Sequence, residues 1–249
     1  MKRLWPLIAL GVGAFIIFAV VTFPASIVAS WLGSSGIYAG GVSGTIWNGR
    51  AQVLQIQGAN VGGVQWKLHA LPLLTAHANM DVKVTRIDGF AQSKLSVGPS
   101  GTMNFEALSA SLPLSALPPN VIPGGWAGTL NGRFQQLTLE NGWPTQVDGT
   151  LEVMDLTGPA RNPSKAGSYR IVFDPAASTA DVLKGAISDV GDGPLQLNGT
   201  LQLKPDRSYA LETLIAARPD APRNLVQTLE FLGPPDAQGR RPFNTEGTL

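Results

Sequence analysis

The sequence contains no cysteine among its 249 residues. A chain without thiols forms no disulfide, binds no metal through thiolate ligands and has no cysteine nucleophile. An oxidising compartment is still compatible with this composition, because many exported β domains fold without disulfides.

Charged residues are scarce, and the two signs nearly cancel. They make up 14% of the chain and leave a net charge of +1. Nucleic-acid-binding domains usually carry an excess of positive charge, so nothing here points to nucleic acid. Gly (29) and Pro (19) recur at short intervals instead, which favours an all-β chain with many turns.

Recognisable catalytic and cofactor motifs are missing as well. The sequence has no Gly-x-Ser-x-Gly elbow, no Walker A loop and no Gly-x-Gly-x-x-Gly turn that opens a helix. Gly191-Asp192-Gly193 predicts a turn and not a phosphate-binding loop, since Pro194 follows it and no helix does. We therefore predict a protein that is not an enzyme, with no catalytic residue, no cofactor and no metal.

The few side chains with suitable chemistry are scattered. His69 and His77 fall on the polar faces of different predicted strands without a carboxylate pair, so we expect exposed positions and not metal ligands. Asp81 and Asp88 are expected on solvated surface, at a strand edge and in a turn. Asn198-Gly199-Thr200 matches the glycosylation triplet, but it predicts a hairpin turn more simply.

A long apolar run dominates the N-terminus. Leu7 to Ala29 is almost entirely apolar, and about 20 such residues in a helix span the roughly 30 Å hydrocarbon core of a bilayer. Lys2 and Arg3 precede the run and predict a cytoplasmic N-terminus, while Trp5 and Trp31 are expected near the two interfaces. The rest of the chain would then lie outside the cytoplasm.

A cleaved signal peptide is the competing interpretation of this run. Val28-Ala29-Ser30 would be a weak small-residue cleavage site. The run is longer than a signal core of about 7–15 residues, and this favours an uncleaved anchor.

A short pattern occurs twice in the chain. Gly40 to Gly58 and Gly124 to Gly142 share Gly-Gly-x-x-Gly-Thr, an aliphatic residue and Asn-Gly-Arg, once Trp47 is removed from the first copy. Asn48-Gly49 and Asn131-Gly132 predict type I′ hairpin turns, because both central positions of such a turn need positive φ. Two copies suggest a duplicated β unit.

Alternating apolar and polar residues predict many strands. The expected strands are Thr45–Trp47, Arg50–Gln57, Val61–His69, Thr75–Arg86, Gly89–Val97, Gly101–Leu112, Gly132–Glu140, Val147–Leu156, Tyr169–Phe173, Ala180–Ser188, Leu195–Leu203 and Tyr209–Ala217. A turn is expected at Leu71–Leu74, and Gly33–Gly41 is expected to be a linker.

Two segments predict helical structure. Pro113–Pro119 indicates a short helical turn, because proline lacks the amide donor of a central strand, and it is the candidate boundary between two halves. Pro222–Pro234 predicts a helix that starts at a proline and is capped by Gly233. The predicted domains are an anchor (1–32) and two β halves outside the cytoplasm (33–112 and 113–249).

The predicted fold is therefore all-β. An N-terminal transmembrane helix precedes an extended, curved, mostly antiparallel β-sheet built from two repeated halves, with a short C-terminal helix. Trp47, Trp66, Trp126 and Trp143 lie in or beside the repeats. Core positions are favoured for Trp47 and Trp66, whereas Trp126 is equally compatible with an exposed patch for a partner.

These features together resemble a known family. Gly44-Thr45-Ile46-Trp47-Asn48-Gly49 after an anchor, Val64-Gln65-Trp66-Lys67-Leu68, and Leu229-Glu230-Phe231-Leu232-Gly233 near the end are similar to the type II secretion system protein N family (general secretion pathway protein N). The resemblance implies a bitopic inner-membrane protein with a periplasmic β domain, an accessory component of the machine that secretes folded proteins.

Two functions from different classes follow. The first is a scaffold or assembly subunit that contacts other secretion components, such as the secretin, the inner-membrane platform or the pseudopilins. The second is a lipid-handling protein, since anchored proteins of the AsmA type also carry Gly-Thr-Leu-rich strands with an apolar face. The apolar face from Ala76 to Val84 would suit a lipid groove if it is uncovered and would be ordinary core if a second sheet closes it.

Overall fold

The structure is a computed structural model that describes residues 5–33, 36–56, 58–117, 125–159, 164–179, 181–191 and 193–248. Lys2, Arg3, Asp192 and the end of the predicted boundary turn, Pro118-Pro119, lie outside the described residues. The chain divides into two compact units, Met1–Ile87 and Asp88–Leu249. The predicted domains 1–32, 33–112 and 113–249 stay a prediction.

Pro24 interrupts the N-terminal apolar run. Helix α1 covers Trp5–Val21 and helix α2 covers Ala25–Leu32. Proline has no amide hydrogen and its ring clashes with the preceding turn, so one helix does not continue through this position. Among the described residues, no helix is both long enough and apolar enough to cross a membrane.

The first unit contains a small antiparallel sheet next to these helices. Its strands are β1 (Ile37–Gly40), β2 (Ser43–Gly44), β3 (Asn48–Ile56), β4 (Ala59–His69) and β5 (Ala78–Thr85). Both β1 and β2 pair with β3, β3 pairs with β4, and β4 pairs with β5. The predicted linker is wrong at β1, because pairing with β3 orders a segment whose composition resembles a loop.

A 3₁₀ turn separates β4 from β5. It covers Leu71–Thr75 and confirms the predicted turn. Ala76 follows it in the left-handed region at φ 57°. The strand predicted from Thr75 to Arg86 is therefore shorter than expected, because its first residues complete the turn.

The second unit is an antiparallel meander in which each strand pairs with the next one along the chain. Its strands are β6 (Phe90–Val97), β7 (Met103–Pro113), β8 (Ala127–Glu140), β9 (Trp143–Thr157), β10 (Lys165–Phe173), β11 (Leu183–Asp189), β12 (Leu195–Leu203), β13 (Ser208–Ala217) and β14 (Arg241–Thr248). The mostly antiparallel β architecture is confirmed.

Helical segments in the second unit are short. A 3₁₀ turn at Leu114–Ala116 confirms the helical turn expected after Pro113. Helix α3 (Arg223–Glu230) confirms the C-terminal helix and buries Leu229. It ends earlier than predicted, since Phe231 is its C-terminal cap and Gly233 adopts φ 102° beyond it.

The hairpin turns predicted at three Asn-Gly pairs are wrong. Asn48-Gly49, Asn131-Gly132 and Asn198-Gly199 lie within β3, β8 and β12, and their φ angles are not positive. These glycines do not form turns. The absence of a side chain leaves room for neighbouring residues that lie close to them. A Cβ at Gly49 would lie 2.8 Å from Cε2 of Trp66, the residue opposite it on β4.

The two copies of the repeat have different backbones. In the first copy a tight turn connects β2 to β3, and the amide of Thr45 donates to the carbonyl oxygen of Asn48 at 3.0 Å. In the second copy the corresponding residues run straight through β8. Trp47, which the second copy lacks, lies within the turn of the first.

Candidate functional site

An apolar cavity lies between α2 and the sheet of the first unit. Its volume is about 430 Å³. Helix α2 contributes Ala25, Val28 and Ala29 to the lining. These residues are spaced i, i+3 and i+4, so they share one face of the helix. Their small size leaves space between the helix and the sheet.

The sheet contributes apolar side chains to the opposite wall, most of them larger than those of α2. They come from β3, β4 and β5 and are Ala51, Leu54, Ile56, Val64, Trp66, Leu68 and Met80. Ala51 and Val64 are buried, whereas Ile56 keeps 42% of its surface exposed. Of the lining residues that the structure describes, Ile56 is the one exposed side chain, so these residues do not enclose the cavity completely.

The predicted apolar face of β5 is part of this arrangement. Met80 lies opposite Leu68 and lines the cavity, while Val82 lies opposite Trp66. The sequence left open whether this face is a groove or a closed core. In the first unit a helix lies over this side of the sheet, and a cavity remains beneath it.

Two hydrogen bonds connect the C-terminal end of α1 to the turn between β2 and β3, which forms part of the cavity lining. The amide of Ile46, a lining residue, donates to the carbonyl oxygen of Phe23 at 3.0 Å. Nε1 of Trp47 donates to the carbonyl oxygen of Val20 at 2.8 Å. Both bonds are made by the turn between β2 and β3, so the cavity lies directly beside the C-terminal end of α1.

Trp47 and Trp66, the two tryptophans expected in the core, are half-buried, and the indole of each donates a hydrogen bond. Nε1 of Trp66 donates to the carbonyl oxygen of Ile46 at 3.1 Å, and its ring forms part of the cavity wall. Trp126, in the second unit, is 36% exposed. Neither belongs to the fully buried core, so the core position expected for Trp47 and Trp66 is only partly reached.

The outer face of α2 is also apolar. Ile27 and Trp31 are 40% and 65% exposed there, and the rings of Trp31 and Phe23 have centroids 6.4 Å apart. A helix whose opposite faces both carry apolar residues does not fit the usual pattern of a surface helix, which places polar residues outward.

The two histidines lie in the exposed part of the first unit. Nε2 of His69 lies 3.1 Å from Oδ2 of Asp81, and Nδ1 of His77 lies 2.7 Å from the carbonyl oxygen of Thr75. In the part of the chain that the structure describes, no group of three or more possible ligands is placed to hold a metal ion.

Asp88 is exposed at the start of the second unit.

A wider depression of about 720 Å³ lies on the second unit, across β7 to β10. Arg133, Asp148 and Asp174 line it together with Phe134. The pairing of β8 with β9 shifts between Phe134 and Gln136, a bulge that bends the sheet at this point. The depression carries both signs of charge, so it does not favour one class of charged ligand.

The sequence analysis does not predict that α2 lines a cavity. The run from Leu7 to Ala29 suits a single membrane span. That interpretation places most of α2 inside the bilayer, where it would contact lipid and not the sheet. Pro24 is the signal that separates α2 from α1. The spacing of Ala25, Val28 and Ala29 then indicates which side of α2 faces a larger partner.

Comparison with known proteins gives one consistent family. The family described as "Type II secretion system (T2SS), protein N" matches residues 35–244. A type II secretion system protein N of Aeromonas hydrophila is 26% identical over 258 residues and covers 100% of both chains. Its counterpart in Vibrio cholerae serotype O1 is 28% identical over 244 residues and covers 92% of both chains. No solved structure matches this chain.

Proposed function

Because this chain belongs to the type II secretion system protein N family, we propose that it is an accessory, non-catalytic subunit of that system. It acts as a scaffold or assembly component and supports protein transport, the secretion of folded periplasmic proteins. The observation that carries this proposal is the similarity to two proteins of that name over most of the chain.

The proposed location is the cell inner membrane. The apolar run Leu7–Ala29 holds the chain there as a single-pass, bitopic protein, with the N-terminus cytoplasmic and the β domain periplasmic. Support comes from α1, where Leu10, Phe15 and Ile17 expose 72%, 70% and 66% of their surfaces. Its 17 residues fall at the lower end of the roughly 17–25 that transmembrane helices use.

The proposed partners are other components of the system: the secretin, the inner-membrane platform or the pseudopilins. In the described part of the second unit, β14 pairs with β13 and with no further strand. An unpaired strand edge offers backbone groups for strand addition by another protein. Phe243 on β14 is 38% exposed, and Phe231 at the end of α3 is 91% exposed. Exposed aromatic residues are common anchors of protein interfaces.

Deletion and complementation in the native bacterium test this proposal. We expect loss of the chain to lower the amount of assembled secretion components, seen on native gels, together with the amount of exported protein in the medium. Complementation by Phe231→Ser/Phe243→Ser should be impaired, whereas Val190→Ser, at another exposed apolar position of this unit, should complement fully. Normal assembly and secretion without the chain would contradict the proposal.

Lipid handling is the second candidate function. The apolar cavity beneath α2 favours it, because the lining residues are apolar side chains beside a helix with an exposed apolar surface. This function and the scaffold function are compatible, since the cavity lies in the first unit and the exposed aromatic residues in the second.

A further inference from the structure

We infer that the cavity beneath α2 holds one hydrocarbon chain of a bilayer phospholipid, with the headgroup outside. The inference names the ligand of the second candidate function and rests on the proposed membrane position of α1. Its test therefore reports on α1 as well as on the cavity.

The lining determines the chemical class of the ligand. It consists of aliphatic side chains, one methionine and the indole of Trp66. The indole Nε1 already donates to the carbonyl oxygen of Ile46, so it has no hydrogen left for a ligand. Buried water needs several polar partners, and an apolar cavity of about 150 Å³ stays dry and binds benzene. A flexible hydrocarbon suits these walls.

The size of the cavity fits a chain larger than benzene. At about 430 Å³ it falls within the roughly 300–1,000 Å³ of small-molecule sites. Small residues of α2 form one side and leave the space, whereas Leu54, Leu68 and Met80 form the other. Ile56 is exposed and also lines the cavity, so the cavity is not completely enclosed, as the entry of a chain from outside requires.

The position of the cavity determines the source of the hydrocarbon. The turn that carries Ile46 and Trp47 is attached by hydrogen bonds to Val20 in the last turn of α1 and to Phe23 just after it. On the far side of α2, Ile27 and Trp31 are exposed beside Phe23. Tryptophan is favoured at the membrane interface, and interfacial helices bury apolar side chains among lipid headgroups and chains. Helix α2 is thus placed between the bilayer surface and the cavity.

Photolabelling with a phospholipid tests the inference. The full-length protein is reconstituted into vesicles of phosphatidylethanolamine and phosphatidylglycerol that contain a phospholipid with a diazirine near the end of one acyl chain. After illumination, labelled residues are identified by mass spectrometry. We expect labels on α1 from the surrounding bilayer, and a second set on cavity residues such as Leu68 and Met80.

Two variants fill the cavity from opposite walls, in case one of them fails to fold. Ala29→Phe and Ala51→Phe should lose most of the labelling at Leu68 and Met80 while labelling of α1 is kept. Ser30→Phe places the same side chain on an exposed position of α2 and should leave the cavity labelling unchanged. Circular dichroism identifies variants that retain the β-sheet.

The results separate the two claims. Labelling of α1 without labelling of the cavity would overturn the inference and leave the membrane position intact. No labelling of either would overturn both. A photoreactive residue in place of Met80 should yield phospholipid adducts, whereas adducts with a peptide, from a second copy or another protein, would overturn the assignment of a lipid.

Discussion

The indole Nε1 of Trp47 donates a hydrogen bond to the backbone carbonyl oxygen of Val20 at 2.8 Å. In a continuous helix this oxygen would accept from the amide four residues later, which is Pro24 and has no hydrogen. The amide of Phe23 reaches this oxygen only at 3.4 Å, and Trp47 supplies the shorter hydrogen bond. The same residue distinguishes the first copy of the repeat from the second, so the extra tryptophan has a structural role where the chain leaves α1.

Replacement of this indole tests its role. Trp47→Phe keeps an aromatic ring but removes the donor, and we expect the free energy of unfolding to fall by about 1 kcal/mol, the usual net contribution of one hydrogen bond. Denaturant titration of the purified protein measures this change. Trp126→Phe, at an exposed position, should leave the midpoint in place, and equal midpoints for wild type and Trp47→Phe would contradict the assignment.

The glycine at position 49 is explained by its neighbour on β4. We expect Gly49→Ala to destabilise the fold by about 1–3 kcal/mol, the typical cost of overpacking, because its Cβ would lie 2.8 Å from Cε2 of Trp66 and 2.9 Å from the carbonyl oxygen of Thr45. Gly33→Ala, where a Cβ meets nothing within 4 Å, is the matched control.

A double variant tests whether crowding by Trp66 accounts for the glycine at position 49. With Trp66→Leu in place, Gly49→Ala should cost less than it does alone, because contacting residues are not additive. The same cost in both backgrounds would show that the tryptophan is not the reason for the glycine.

The turn after α3 should make stability sensitive to acid. The backbone amide of Arg240, and also its side chain, donate to the Asp236 carboxylate and lower its pKa below the ordinary 3.8. A carboxyl with a lowered pKa in the folded state stabilises the fold above its unfolded pKa, and the stabilisation is lost as the pH falls through the folded value.

Asp236→Asn is the corresponding variant. We expect it to be less stable than wild type at pH 7, and the difference should shrink as the pH falls below about 3.8. Asp206→Asn should behave in the same way, because the hydroxyl of Ser208 lowers the pKa of Asp206. Asp220→Asn, on the exposed turn before α3, is the control, and a difference that does not change with pH would contradict the prediction.

The proposed anchor is tested by fractionation. A C-terminally tagged chain should stay in the inner-membrane fraction after carbonate extraction, at nearly full mass. Val12→Lys/Ile16→Lys should reduce this fraction, since each lysine near the centre of a span costs about 2.5–3.5 kcal/mol on insertion scales. Ser26→Lys/Ser30→Lys, on the exposed side of α2, should be retained, and a shorter, extractable wild-type product would show that the run is removed.

The alternation of apolar and polar residues was sufficient to predict the bounds of several strands. Leu195–Leu203 was predicted with the observed bounds of β12, and Tyr209–Ala217 differs from β13 by one residue. Their apolar and polar residues alternate, and each strand pairs with its neighbour in the chain. Such pairings depend little on distant residues, so the sequence of each strand carries most of the information.

Features that depend on distant contacts were missed. The conformation at Gly49 depends on Trp66, 17 positions along the chain, so the Asn-Gly rule gave the wrong structure. Strand β1 pairs with β3, and its four residues are too few, beside glycines and serines, to indicate a strand by alternation. The cavity needs α2 on one side and β3 to β5 on the other, and the sequence pattern indicates only the apolar face of β5.

Site-specific photo-crosslinking in the native bacterium tests the central claim most directly. Photoreactive residues replace Phe231 and Phe243 in the second unit, with Val190 as the matched exposed control, and mass spectrometry identifies the partners. The account predicts adducts with the secretin, the inner-membrane platform or the pseudopilins at Phe231 or Phe243 and not at Val190. Expressed, membrane-bound protein that yields no adduct with a secretion component at either position would contradict it.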